Sequence, residues 1–74
     1  MEVEIRLFAT LRQGRFRKRK LDLSEGITVA NVLKQLGIRP QEVAILLVNG
    51  HDVTEHDTLR PDDVMALFPP VAGG

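Results

Sequence analysis

From Glu2 to Phe8 the chain alternates polar and apolar side chains without a break. A period of two marks a strand with one face in a core and the other in water. Val3, Ile5 and Leu7 therefore face inward, Glu2, Glu4 and Arg6 face solvent, and Phe8 points outward at the strand's end. Ala9 to Gly14 reads as a turn, with Gly14 supplying a permissive backbone. A second alternating run follows from Arg17 to Leu23, with Leu21 and Leu23 on its buried side. Its first half is solidly basic, so pairing with the first strand is expected only where it turns apolar. Two such runs on a short connection form an antiparallel hairpin, which Ser24-Glu25-Gly26 ends.

After Thr28 the period changes. Val29, Val32, Leu33 and Leu36 fall at i, i+3, i+4 and i+7, which is one face of a helix. Thr28 is placed to cap its first turn, and Gly37 to close its last, with Ile38 as the hydrophobic contact beyond. Pro40 to Val43 reads as a single turn. Ile45-Leu46-Leu47-Val48 is a continuous apolar run of strand length, which predicts burial on both sides or a strand next to the helix. Asn49-Gly50 is a strong hairpin signal, with Asp52-Val53-Thr54 as the short returning strand. The rest of His51 to Arg60 reads as polar loop anchored by Leu59. Pro61-Asp62-Asp63 makes a turn, and Val64 to Phe68 the last strand, stopped by Pro69 and Pro70.

The predicted order is β-β-α-β-β-β, the second-last strand being short. The helix serves as a crossover, which places the last strand parallel to the first. The fold class is α+β: a mixed sheet of four to five strands with one main helix packed on it. Residues 1–70 form this body and 71–74 a flexible tail; there is no linker or repeat to support a second domain.

Composition narrows the chemistry. Seventy-four residues suffice for one small domain, and the absence of cysteine removes disulfides, thiol nucleophiles and cysteine-ligated zinc. No apolar run approaches a membrane span and the start does not resemble a secretion signal, so a cytoplasmic chain with no membrane partner is expected. The net charge is zero, but Arg12, Arg15, Arg17, Lys18, Arg19 and Lys20 crowd one segment, while acids dominate from Glu42 to Asp63. Such a dipolar molecule has a basic end suited to an acidic partner. A nucleic-acid partner is not expected, because only Phe16 is available to stack on a base and the balanced charge weakens phosphate attraction.

His51 and His56, with Asp52, Glu55 and Asp57 nearby, read as a solvated loop rather than a metal site. No nucleophile-and-base pair and no phosphate-cradling glycine loop is present. Two other features remain. The last strand is apolar on both parities: with Met65 and Leu67 toward the helix, Val64, Ala66 and Phe68 lie on the other face, where Phe8 joins them as a docking patch. Beyond it the chain runs Pro69-Pro70-Val71-Ala72-Gly73-Gly74. Two terminal glycines arise by chance in roughly one chain in two hundred. A cloning scar or linker is the bland alternative. A C-terminal glycine carboxylate is unobstructed and, with an intrinsic pKa of about 3.3–3.7, anionic at neutral pH; it can attack an activated phosphate.

Leu7-Phe8-Ala9-Thr10-Leu11-Arg12, Val48-Asn49-Gly50 and Leu67-Phe68-Pro69-Pro70-Val71-Ala72-Gly73-Gly74 together resemble the MoaD/ThiS-type sulfur carriers, which are ubiquitin-like β-grasp proteins. The resemblance covers essentially the whole chain, and its ending looks more like the small subunit of molybdopterin synthase than the thiamine-pathway carrier. Two features depart from the family pattern: the Arg15–Lys20 run is heavier, and Asp62 stands where many members have glycine before aspartate. The resemblance implies a carrier rather than an enzyme, binding no cofactor or metal of its own. A ubiquitin-activating-like adenylyltransferase, using ATP and magnesium, would adenylate the Gly74 carboxylate. A sulfur donor such as a cysteine desulfurase system would convert it to a thiocarboxylate. The tail would then enter the large subunit of molybdopterin synthase, where sulfur goes to cyclic pyranopterin monophosphate. Gly74, with Gly73, is then the reactive end, and Phe8, Phe68, Pro69, Pro70 and Val71 the partner-binding surface. The alternatives are a sulfur carrier for thiamine thiazole synthesis, a ubiquitin-like modifier joined through Gly74 to lysines, and a plain interaction module whose glycines are incidental.

Overall fold

The computed structural model describes residues 1–70. The expectations for Val71, Gly73 and Gly74 lie outside the described residues. The five strands are β1 (Glu2–Leu7), β2 (Lys18–Asp22), β3 (Ile45–Val48), β4 (His51–Asp52) and β5 (Val64–Phe68), with one helix, α1 (Val29–Leu36). They form a single sheet in the order β2-β1-β5-β3-β4. β1 pairs antiparallel with β2 and parallel with β5, and β5 pairs antiparallel with β3. This is the ubiquitin-like β-grasp expected: a mixed sheet with one helix across it. No helix among the described residues is long and apolar enough to cross a membrane.

The alternation along β1 produces the core. Val3, Ile5 and Leu7 are 0% exposed, as are Met65 and Leu67 of β5 and Val29 and Val32 of α1. Sealing an aliphatic side chain from water contributes about 1.5–3 kcal/mol, so this cluster supplies most of the driving force available to so small a chain. The ends of α1 are built as read. The Asn31 N–H donates to Thr28 Oγ1 at 3.2 Å, and Gly37 adopts a left-handed φ of 71°. The Ile38 N–H then reaches back to the Leu33 carbonyl at 2.9 Å, carrying Ile38 into the core. Leu59 is likewise buried, anchoring its loop.

Four expectations need correction. First, β2 pairs with β1 along its whole length, with Arg19 opposite Ile5 and Lys18 opposite Arg6. A backbone ladder makes no demand on side-chain polarity, and at the sheet's edge the basic side chains stay in water. Second, β3 is not buried on both sides: Leu46 and Val48 pack on the core, whereas Ile45 is 48% exposed. Third, the turn read over Ala9 to Gly14 is present, but it opens as a 3-10 turn, Ala9–Arg12, that carries Leu11, given no core role above, to 3% exposure in the core. Fourth, the returning strand is His51–Asp52 rather than 52–54, because the two-residue turn at Asn49 (φ 53°) and Gly50 (φ 81°) pairs His51 directly with Val48. Asp62 has a left-handed φ of 67°. Aspartate is one of the few side chains that tolerate this region.

Candidate functional site: the open face of the sheet

Helix α1 covers one face of the sheet and leaves the other open. The register of β1 against β5 sets Leu7 beside Leu67 on the covered face and so brings Phe8 beside Phe68 on the open one. The Phe8 N–H donates to the Leu67 carbonyl at 3.1 Å, which extends the ladder by one residue. The two rings stack with centroids 4.2 Å apart and planes 12° from parallel. Arg12 finishes the arrangement from the 3-10 turn. Its Nε donates to the Leu7 carbonyl at 2.7 Å, and its guanidinium carbon sits 5.3 Å from the centre of the Phe8 ring. Ala9, between them, has a φ of 51°, an uncommon conformation for alanine that turns the chain sharply after Phe8.

The patch extends further than parity along β5 predicted. Ile45 pairs with Phe68 and Leu47 with Ala66, so both share the open face. Ile45 is the one large hydrophobic side chain that reaches about half exposure among the described residues. Sequence reasoning missed these two, because a run of four apolar residues has no parity until its partner strand is known. Val64, Ala66, Phe68 and Phe8, which were assigned to this face, are there and half-buried. Pro69 and Pro70 leave β5 beside the stack and line a shallow hollow with Leu11, Arg15 and Glu42. The structure thus brings Phe8 and Phe68 together and sets Pro69 and Pro70 at their edge.

The basic run divides into separate roles. Arg15 donates to the carbonyls of Leu36 at 3.2 Å, Leu11 at 3.1 Å and Gly37 at 3.1 Å. A cation is favoured there, because the carbonyls at a helix C-terminus carry partial negative charge. The Arg19 guanidinium lies over Phe16, 4.7 Å from its ring centre, and Lys20 stands 3.9 Å from Glu2. Arg17 and Lys18 have no ion-pair partner among the described residues. Together with Arg6, Arg12 and Phe8 they line a shallow depression on the open face.

Two carboxyls are held below the ordinary range. The hydrogen bond from Arg6 lowers that of Glu4, and the Arg39 backbone N–H, 2.7 Å from Glu42 Oε2, lowers that of Glu42. His51 and His56 are both exposed, and no three potential metal ligands converge among the described residues. What the described body offers is a rigid aromatic-aliphatic surface next to the start of a tail.

A sequence model described as the ThiS family matches residues 5–74. The chain belongs to the ThiS family. Solved structures agree with the assignment. SAMP1 from Haloferax volcanii, a small archaeal modifier protein, is 28% identical with a TM-score of 0.77, each chain covering 100% of the other. A putative molybdopterin converting factor subunit 1 from Pyrococcus furiosus is 26% identical with a TM-score of 0.76, over 96% of this chain and 99% of that one. Subunit 1 in a protein–protein complex with subunit 2 of molybdopterin-converting factor, from Helicobacter pylori, shares the fold at 23% identity and a TM-score of 0.66, with both chains fully covered. This ThiS-family chain therefore has the β-grasp body common to sulfur carriers and small archaeal modifiers.

Proposed function

We propose that this chain is a sulfur carrier in molybdopterin synthesis, acting as the small, non-catalytic subunit of the synthase. The Gly74 carboxylate would attack ATP, held with magnesium on an adenylyltransferase, and release pyrophosphate. The persulfide of a donor such as a cysteine desulfurase system would then displace AMP to give an acyl disulfide. A second thiol would reduce that S–S bond, leaving as a disulfide with the donor and freeing the thiocarboxylate. The large subunit would receive that tail. The observation that carries the reading is the stacked, half-buried Phe8–Phe68 pair on the open face of the sheet, at the point where Pro69 leaves the central strand. Family membership and the Gly73-Gly74 ending support it.

The physical demands on the tail are met by its composition. Six residues from Pro69 to Gly74 extend at most about 20 Å, enough to enter a pocket in a partner docked on the patch. Pro69 and Pro70 reduce the freedom lost on insertion, and the glycines suit a narrow passage. β5 makes a firm base, since it is hydrogen-bonded to a strand on each side.

The test is mass spectrometry of the full chain after incubation with the adenylyltransferase, ATP, magnesium and a sulfur source. A gain of about 16 Da confined to the C-terminal peptide is expected, the difference between sulfur and oxygen. Deletion of Gly73-Gly74 should abolish it while leaving the folded body intact. No gain with an enzyme shown to be competent on another carrier overturns the proposal. The similarity to SAMP1 favours a second reading, a modifier joined through Gly74 to lysines, whose signature is a Gly-Gly remnant on lysines of other proteins.

A further inference from the structure

The depression beside Phe8 gathers like charges in a way the fold does not require. Arg6 and Lys18 are directly opposed in the β1–β2 ladder, on the open face, and Arg12 and Arg17 line the same depression. Like charges opposed across a ladder are destabilising. The other end of the same ladder also opposes two like charges, Glu2 and Asp22, but there the charge is answered. Lys20 stands 3.9 Å from Glu2, and the Met1 α-amino group lies 3.2 Å from Asp22. At the basic end a single carboxylate, Glu4, pairs with Arg6 and also feels the charge of Lys18, while Arg17 has no ion-pair partner among the described residues. Local rules broken with only partial internal compensation tend to mark functional surfaces.

We propose that this depression receives carboxylate side chains of the protein that takes the tail, and that it selects partners by charge. The inference rests on the carrier reading above. It favours a protein over a nucleic acid for two reasons. The cations border an apolar surface, Phe8, Phe68 and Ile45, which a protein partner covers and a phosphate backbone does not. The chain's zero net charge also denies it general attraction to polyanions. The open face is graded: basic on β2 and the end of β1, apolar across β5 and β3, then Asp52 on β4 opposite Leu47. A partner with acid on one side of an apolar pocket can therefore dock in only one orientation, and the apolar centre supplies affinity while the charges set rate and register.

The experiment measures dissociation constants of the full chain for the adenylyltransferase and for the large synthase subunit from about 50 to 500 mM salt, a range that screens exposed charges strongly. Wild-type affinity should fall with salt for at least one partner. The double change Arg17→Glu and Lys18→Glu should weaken that complex about tenfold or more at low salt and flatten its salt dependence. Lys34→Glu, on the exposed side of α1, serves as the charge control and should change neither. Melting temperatures establish that each variant is folded. Unchanged affinity and an unchanged salt slope for both partners overturn the inference. So does a double variant that loses binding to a single-stranded oligonucleotide while binding both proteins normally. The 16 Da gain is read separately on wild-type chain: its absence counts against the carrier reading, whereas normal loading with charge-blind binding counts against this inference alone.

Discussion

On the covered face of the sheet, Val3, Ile5 and Leu7 of β1 meet Met65 and Leu67 of β5, and all five are sealed from water. One residue along the same strands, the open face carries Glu4 and Arg6 on β1 but Ala66 and Phe68 on β5. β1 thus follows the rule for a strand with one wet face, and β5 departs from it although no helix covers its second apolar set. Packing accounts for the first set only. The difference teaches that residues serving the fold and residues serving recognition are interleaved, alternating along single strands. They should therefore be separable by neighbouring substitutions.

The largest separation is expected at Leu67 and Phe68. Leu67→Ala opens a cavity in a closed core and should cost about 2–5 kcal/mol in urea unfolding, enough to threaten the fold. Phe68→Ala loses a stacked pair worth about 0.5–1.5 kcal/mol together with the part of the ring already buried, and should cost less than Leu67→Ala because it opens no closed cavity. Partner binding should show the reverse order at temperatures where both variants are folded, with Phe68→Ala weaker by tenfold or more, as for a central aromatic anchor. Equal destabilisation by the two substitutions would break the distinction between faces.

Ile45 sharpens the same comparison on β3. Ile45→Asp replaces a half-exposed strand side chain opposite Phe68 and should cost about 1 kcal/mol, less than a core truncation. Placed against Phe68, the new carboxylate should nevertheless reduce docking several-fold by calorimetry, because it must be desolvated on the partner's surface. A variant that docks normally would confine the patch to β5 and Phe8.

How far these roles were legible depends on how many residues voice them. β1 and α1 declared themselves through unbroken periods and, for the helix, through Thr28 and Gly37 at its ends. The Phe8–Phe68 meeting followed from parity on two strands plus a parallel pairing. Leu11 was hidden because a four-residue turn is too short to show a period. Ile45 and Leu47 were hidden because the facing of a continuous apolar run is decided by its neighbour, not by itself. The contacts of Arg15 with the end of α1 join segments far apart in sequence, so the basic run looked uniform when it is not.

The smallest effect should appear with pH. Hydrogen bonds to their charged forms hold the Glu4 and Glu42 carboxyls below the ordinary range, so folding favours their ionised state. Their contribution is present above the unfolded-state pKa and is lost as pH falls through the folded one. Thermal midpoints measured from pH 7 to pH 3 should decline in the acid range, and Glu42→Gln should make that decline shallower. An unaltered slope would show that the Arg39–Glu42 contact does not persist in solution.

The position of β5 has a consequence for how the molecule comes into being. It is the last strand along the chain yet the middle one in the sheet, joining the β1–β2 hairpin to the β3–β4 hairpin. Until it is in place, those hairpins share no backbone pairing with each other. The decisive contacts span nearly the whole body, so they carry a loop-closure cost that local contacts do not. A chain interrupted before Val64 is left with two unattached hairpins and exposed core residues, open to proteolysis. Completion of the sheet thus depends on the strand that comes furthest along the described chain.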